Sequence, residues 1–225
     1  VTEEPFIKIC GITNEADALL AAGLGATALG FIFAPTSKRL ISREDARDII
    51  RRVPSSVATV GVFRNQPLFD VIDIAAELGL TAVQLHGDES RDDAKFVADQ
   101  MGCVIKAFVA GDPEVNHFRS YGASYFLLDG PEPGSGELFD WSITEGVPEH
   151  SAMIVSGGLR PDNVGLAIRQ LRPYGVDVCS HVEAEPGRKD PLALRDFIRN
   201  AREAFDELGA RHSDNDTEFF DWGSE

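Results

Sequence analysis

What most constrains the fold of this sequence is a strict alternation of short apolar runs with helix-patterned stretches, sustained over nearly its whole length. Runs rich in aliphatic, aromatic and β-branched residues cover 6–10, 26–33, 57–63, 82–86, 104–108, 125–128, 152–155 and 175–178, which makes eight candidate strands. Helical periodicity fills 15–22, 43–52, 68–78, 91–101, 113–121, 162–171 and 192–208, and Asn14, Ser42 and Ser90 stand where N-caps belong. Only the interval 130–148, rich in Pro and Gly ahead of Phe139-Asp140-Trp141-Ser142-Ile143, is poor in helix signals. Strands that alternate with helices pair in parallel, because the helix carries the chain back to the start of the next strand. Runs that are nearly continuously apolar are expected of strands covered on both faces. Eight such units in 225 residues predict one α/β domain, a closed (β/α)8 barrel of the TIM type over residues 1–208. An open doubly wound sheet is the alternative arrangement. Residues 209–225 read as a polar, acidic tail, expected to be a disordered terminus despite Phe219, Phe220 and Trp222.

Charge narrows the partners. A formal net charge of −16 repels phosphate backbones and anionic bilayers, so neither nucleic acid nor membrane is expected as a partner. No run approaches a membrane span and the first residues lack the basic and apolar regions of a secretory signal, so the expected location is cytoplasmic. Cys10, Cys103 and Cys179 lie far apart without metal-ligand spacing, which suggests neither a disulfide framework nor a metal site. Only five lysines (Lys8, Lys38, Lys95, Lys106, Lys189) accompany 16 arginines. The acids spread over predicted helix faces, as at Glu44-Asp45 and Asp92-Asp93, read as a solubility adaptation suited to high salt.

A barrel of this kind builds its site where the C-terminal ends of the strands meet the following loops. The sequence places Cys10 there after the first strand, Ser37-Lys38-Arg39 after the second, Arg64 after the third and His86-Gly87 after the fourth. Asp129 ends the sixth, Ser156-Gly157-Gly158 follows the seventh, and Asp177 precedes Cys179-Ser180-His181 at the eighth. A thiol where a strand meets a helix N-terminus lies among backbone N–H dipoles that favour the thiolate. Taken alone, a buried cysteine reads equally as a small packing residue. Ser156-Gly157-Gly158 ahead of Pro161-Asp162-Asn163 offers open backbone N–H groups and a helix start, the outline of a phosphate cradle; a plain tight turn is the alternative. The loops after strands seven and eight are the usual phosphate position in these barrels.

The segments Lys8-Ile9-Cys10-Gly11-Ile12-Thr13, Gly30-Phe31-Ile32-Phe33 with Ser37 and Arg39, Val60-Gly61-Val62-Phe63 and Gln84-Leu85-His86-Gly87 carry a resemblance. So do Leu127-Leu128-Asp129, Phe139-Asp140-Trp141, Ser156-Gly157-Gly158-Leu159 and Val176-Asp177-Val178 followed by Val182-Glu183. Together, in order and spacing, they resemble the phosphoribosylanthranilate isomerases of tryptophan biosynthesis, from about residue 6 to residue 208. The resemblance implies an Amadori rearrangement without cofactor or metal, acting on a small phosphoribosyl substrate, by a monomer or a homodimer. It implies Asp129 as general acid and Cys10 as general base, two roles that act on different substrate atoms. Arg39 is the partner expected for the anthranilate carboxylate, Asp177 for sugar hydroxyls, and His86 a residue lining the pocket. Gly157, Gly158, Ser180 and His181 are expected at the phosphate.

One departure stands out. The family pattern has a small Ser-Gly pair before Val-Glu, and this chain has Ser180-His181 before Val182-Glu183. A side chain where glycine is expected removes room for close backbone approach, so weaker phosphate binding with an intact acid and base is the expectation. A cationic imidazole that joins the cradle is the other outcome. Two further activities fit the same residues: a related sugar-phosphate barrel isomerase, including one that also acts on the analogous histidine-pathway intermediate, and a phosphate-sugar binding barrel with impaired turnover.

Overall fold

The computed structural model describes residues 4–130 and 152–208. Strands β1 (Phe6–Cys10), β2 (Ala28–Ile32), β3 (Ala58–Phe63), β4 (Ala82–Leu85), β5 (Val104–Val109), β6 (Tyr125–Asp129), β7 (Met153–Val155) and β8 (Gly175–Val178) form a closed barrel in sequence order. Every adjacent pair is parallel, and β8 returns to β1 with Lys8 opposite Asp177 and Ile9 opposite Val178. That return excludes the open doubly wound sheet. Around the barrel lie α1 (Glu15–Leu24), α2 (Arg43–Ile50), α3 (Leu68–Leu78), α4 (Arg91–Ala98), α5 (Val164–Leu171) and α6 (Pro191–Leu208). No helix among the described residues is long and apolar enough to cross a membrane. The Phe139–Ile143 segment and the tail 209–225 fall outside the described residues.

The apolar runs conceal a period of two. Phe6, Ala28, Ala58, Val60, Ala82, Ile105, Tyr125, Leu127 and Ile154 fill the barrel interior, while their neighbours Ile7, Ile9, Leu29, Phe31, Phe63, Val83, Phe126 and Val155 pack outward against the helices. Alternation along a strand sends successive side chains to opposite faces, and here both faces are buried. On β1 this places Lys8 and Cys10 with Phe6 on the inner face. Gly30 on β2 leaves them room, since a Cβ there would come within 2.8 Å of Cys10 Sγ and 3.1 Å of Lys8 Cε.

The caps act as their residue types predict. Asn14 accepts from Asp17 N, Ser42 from Asp45 N, and Ser90 forms a reciprocal capping box with Asp93. Two elements differ from the sequence expectation. Pro113–Tyr121, expected as one helix, is two short 3-10 turns that meet at a kink at His117, where φ is −114° and ψ 15°. Val115 before the kink and Phe118 and Tyr121 after it are its buried residues. Between β8 and α6 a two-stranded antiparallel ribbon, β9 (Glu183–Glu185) and β10 (Arg188–Lys189), turns through Gly187 at φ +85°. It folds Lys189 back under the barrel rim.

Three of the five lysines, Lys8, Lys106 and Lys189, are buried. Lys106 donates to the Gly87 carbonyl at 2.7 Å and meets Glu89 Oε2 at 3.2 Å, which fastens the loop after β4 to β5. Glu89 in turn accepts from the Asn65 and Gly87 amides. Removing one member of a buried pair leaves the other charge unmatched. Lys106→Met is therefore expected to cost about 3–5 kcal/mol in urea unfolding, with part regained in the Lys106→Met/Glu89→Gln double variant. Equal unfolding midpoints for the parent and Lys106→Met would refute the pin.

Candidate active site

All nine residues expected at the site line one open cavity at the C-terminal mouth of the barrel, about 300 Å³ in volume. Cys10 enters it from β1, Arg39 from the loop after β2 and His86 from the end of β4. Asp129 enters from β6, Gly157 and Gly158 from the loop after β7, and Asp177, Ser180 and His181 from β8 and the turn that follows. Arg64 also reaches the lining, whereas Lys106 belongs to the pin below it.

Cys10 is 5% exposed, and burial alone would hold a thiol neutral. Its pKa is instead lowered from the ordinary 9.0 to about 6, first because the Cys179 thiol donates a hydrogen bond to it. The ammonium groups of Lys8 and Lys189 add attraction, against the repulsion of Asp177. Cys179 carries the opposite shift: having given its hydrogen to Cys10, it is held well above the ordinary thiol value. Lys8 Nζ donates to Asp177 Oδ1 at 2.8 Å. Burial would discharge this lysine, yet Asp177 and the Cys10 sulfur keep it protonated. Lys189 Nζ donates to the Cys10 carbonyl at 2.6 Å, the Cys179 carbonyl at 3.1 Å and Glu183 Oε1 at 3.1 Å. The thiolate thus sits between two buried ammonium groups and one thiol donor.

Asp129 lies three strands away on the other side of the mouth. Gln84 Nε2 donates to His86 Nδ1 at 2.7 Å, so the imidazole presents its Nε2–H to Asp129 Oδ2 at 3.3 Å. Gln84 Oε1 is the buried side-chain atom left without a partner among the described residues. Gly157 has φ +74°, and a Cβ on it would fall 2.0 Å from the Gly130 amide nitrogen and 2.7 Å from Asp129 Oδ1. Its glycine is thus required by the strand end that carries Asp129, apart from any ligand.

Arg39 is not a free fork. Its Nε and Nη2 edge is taken by Glu183, with Nε at 2.8 Å from Oε1 and Nη2 at 2.6 Å from Oε2. Although burial opposes it, the hydrogen bonds and charges of Arg39 and Lys189 hold the Glu183 carboxyl below its ordinary range. The guanidinium therefore meets the cavity in a fixed orientation, with Nη1 as the nitrogen outside that pairing. Gly11, at φ +74°, clears the way, since a Cβ there would lie 2.7 Å from Arg39 Cδ.

Across the mouth, the loop after β7 passes through Gly157 and Gly158, both with positive φ, before α5 begins at Val164. Asn163 fastens this loop by accepting from Arg160 N at 2.7 Å and donating to the Gly158 carbonyl at 3.0 Å. Residues 161–163 are a turn, two residues short of the expected helix start. Ser180–Val182 forms a single 3-10 turn that carries His181 into the cavity. Burial, then the positive charge of Arg160, lowers the His181 pKa from 6.5. In the unliganded site the imidazole is neutral near pH 7, so it fills space in the cradle without adding charge.

Lys8, Cys179, Glu183 and Lys189 also shape this site, although none of them is among the site residues expected from the sequence. For Lys8 the signal was present, as a lysine inside an apolar strand two residues from Cys10 and hence on its face. Cys179 stands in the same relation to Asp177. Glu183 and Lys189 depend on the ribbon, which Pro186-Gly187 between short polar runs could have announced.

A closed (β/α)8 barrel whose mouth sets a lowered thiol opposite a carboxyl, beside a glycine-rich loop, defines a barrel enzyme of the sugar-phosphate isomerase class. The family model for N-(5′-phosphoribosyl)anthranilate isomerase matches residues 7–200. The N-(5′-phosphoribosyl)anthranilate isomerase of Pelobacter propionicus is 45% identical over 202 residues, 88% of this chain and 95% of that one. The crystal structure of phosphoribosyl anthranilate isomerase from Thermotoga maritima superposes with a TM-score of 0.82 at 42% identity, covering 88% of this chain and 99% of that one. A crystal structure of phosphoribosyl anthranilate isomerase in complex with reduced 1-(o-carboxyphenylamino)-1-deoxyribulose 5-phosphate gives a TM-score of 0.79 at 41% identity, with 88% and 99% covered. This chain belongs to the N-(5′-phosphoribosyl)anthranilate isomerase family. It is an aldose-ketose isomerase of tryptophan biosynthesis that carries out the Amadori rearrangement of N-(5-phosphoribosyl)anthranilate.

The thiol donor makes a specific prediction for catalysis by an ionised Cys10. The acid limb of kcat/KM is expected to rise through about pH 6 in the parent. Cys179→Ala should move it upward, toward the ordinary thiol value, and Cys179→Ser, which keeps a donor, should hold it lower than Cys179→Ala does. Superimposable limbs in parent and Cys179→Ala would rule out this cause.

Proposed function

We propose that Cys10 and Asp129 divide the rearrangement between them as base and acid, and that the remaining lining residues hold the substrate in register between them. The observation that carries this reading is the placement of an easily ionised thiol and a carboxyl on facing sides of one cavity. Asp129 gives its proton to the furanose ring oxygen as the C1–O bond breaks, and the anthranilate nitrogen lone pair forms the iminium. The Cys10 thiolate then takes the proton from C2, and the C–H electrons become the C1=C2 bond of an enolamine. Tautomerisation to the 2-ketone gives 1-(2-carboxyphenylamino)-1-deoxyribulose 5-phosphate. No atom is gained or lost between substrate and product.

Each neighbour has a positioning task in this scheme. His86, its Nδ1 occupied by Gln84, orients Asp129 through Nε2 and leaves Oδ1 on the Gly157 side. Arg39, braced by Glu183, offers Nη1 to the anthranilate carboxylate, a charge-assisted contact with its direction fixed in advance. Asp177 Oδ1 serves Lys8, and Oδ2, which accepts a long hydrogen bond from Ser156 Oγ at 3.4 Å, is the oxygen offered to a sugar hydroxyl. The phosphate lies against the amides of Gly157 and Gly158 in the loop after β7 and of Ser180 in the short turn. His181 occupies part of that space as a neutral ring.

Cys10→Ser and Asp129→Asn are each expected to lower kcat by about 10²–10⁴-fold with little change in KM, the pattern of losing an interaction made only in the transition state. Steady-state kinetics with the phosphoribosyl substrate decides it, and near-parental kcat in either variant removes that residue from its role. His181→Gly is expected to lower KM and leave kcat in place, whereas an unchanged or higher KM would show that the imidazole does not hinder the phosphate.

A further inference from the structure

The proposed mechanism uses one thiol as a reagent, and the cavity contains two. The β1–β8 register pairs Lys8 with Asp177 and Ile9 with Val178, and the next residues along the two segments are Cys10, the last of β1, and Cys179, the first beyond β8. Adjacent strands lie about 4.8 Å apart, within the span of roughly 4.4–6.8 Å between Cα atoms that a disulfide requires. Lys189 Nζ confirms the approach independently, since it bonds both carbonyl oxygens, at 2.6 Å to Cys10 and 3.1 Å to Cys179. Both side chains face the same cavity, through which a small oxidant reaches them. The two residues are separated by about three quarters of the chain, so no local pattern marks them as a pair.

We infer that Cys10 and Cys179 form a reversible redox pair in which hydrogen peroxide links the two sulfurs and switches the isomerase off. The loss of turnover rests on the reading of Cys10 as base; the bond itself does not. In the first step the Cys10 thiolate attacks one peroxide oxygen, the O–O bond breaks, and hydroxide leaves a sulfenic acid on Cys10. In the second, Cys179 gives up its proton, attacks the Cys10 sulfur and expels the second hydroxide. Two thiols and one peroxide become one disulfide and two waters, and a dithiol reductant reverses the bond.

The local electrostatics put the steps in order. Cys179 stays protonated chiefly because it donates to the Cys10 thiolate, with burial and the charge on Cys10 adding to this. A neutral sulfenic acid removes that charge, and Lys189 and Arg39 then favour the Cys179 thiolate. Cys103 supplies the internal contrast, since it is fully buried and its thiol is pushed up to about 12 by burial. It should stay reduced.

The full chain is treated with hydrogen peroxide, alkylated without reduction, digested and read by mass spectrometry, with isomerase activity followed before and after dithiothreitol. Joined Cys10 and Cys179 peptides, two hydrogens lighter than their sum, are expected together with loss of activity that dithiothreitol restores. Cys179→Ser, measured against its own untreated activity, should lose turnover irreversibly as its unpartnered Cys10 passes to the sulfinic acid. Cys103→Ser should behave as the parent. Absence of the joined peptide, or dithiothreitol recovery in Cys179→Ser equal to the parent's, overturns the pair. A joined peptide with full activity overturns the switch by removing Cys10 from the chemistry, and is thereby distinguished from failure of the bond to form.

Discussion

The seam where β8 returns to β1 is the constraint on which the rest of the structure depends. Lys8 and Asp177 meet there at 2.8 Å inside the barrel, both buried, and the same two strands carry Cys10 and Cys179 into the mouth. A buried ion pair contributes little net stability, because desolvation offsets most of its attraction. Its value lies in register. A slip of one residue would send Lys8 and Cys10 outward into the apolar shell around the barrel, a far costlier placement than the one observed. Closing the barrel and charging the thiol are therefore one event, since the lysine that marks the register also stabilises the anion.

A second pattern follows from how the cations are distributed. The lysines are scarce, and three of the five are buried as compact charges that each meet a carboxylate, with Lys106 and Lys189 also gathering backbone carbonyls. Arginine serves elsewhere, as in Arg43 against Asp73 and Glu77, or Arg91 against Glu114. An ammonium on a flexible stem suits a crowded carbonyl cluster, whereas a planar fork suits carboxylates at the surface. Arg39 is the exception that the site uses: one edge is fixed on Glu183 so that the rest of the fork has a single direction. Glu183 is held in turn by Lys189, which also ties the ends of β1 and β8.

The barrel was legible because strand and helix signals alternate everywhere but in 130–148, and the rim was legible because a barrel assigns strand ends to its mouth. Cys10, Asp129 and Asp177 could be placed from those two facts, and the resemblance supplied roles. What the sequence withheld were relations between distant residues. Cys10 and Cys179 become neighbours only through a β8–β1 register that no local pattern encodes. Lys189 reaches the Cys10 and Cys179 carbonyls only because the ribbon of β9 and β10 turns at Gly187. Gly157 looked like a phosphate glycine, and the structure adds an independent requirement from the Asp129 strand end. Over 113–121 the helical pattern of the sequence does not show the kink at His117 that divides the segment into two short turns.

The central claim is that the β1–β8 seam, with Lys189 beneath it, makes Cys10 an anion near neutral pH despite burial. The most direct measurement is the pH dependence of alkylation at Cys10 by iodoacetamide, quantified by peptide mass spectrometry in the native protein. The account predicts half-maximal reactivity near pH 6, and a displacement to higher pH when Lys8 is replaced by Met. A midpoint near 9.0, the ordinary thiol value, would contradict it.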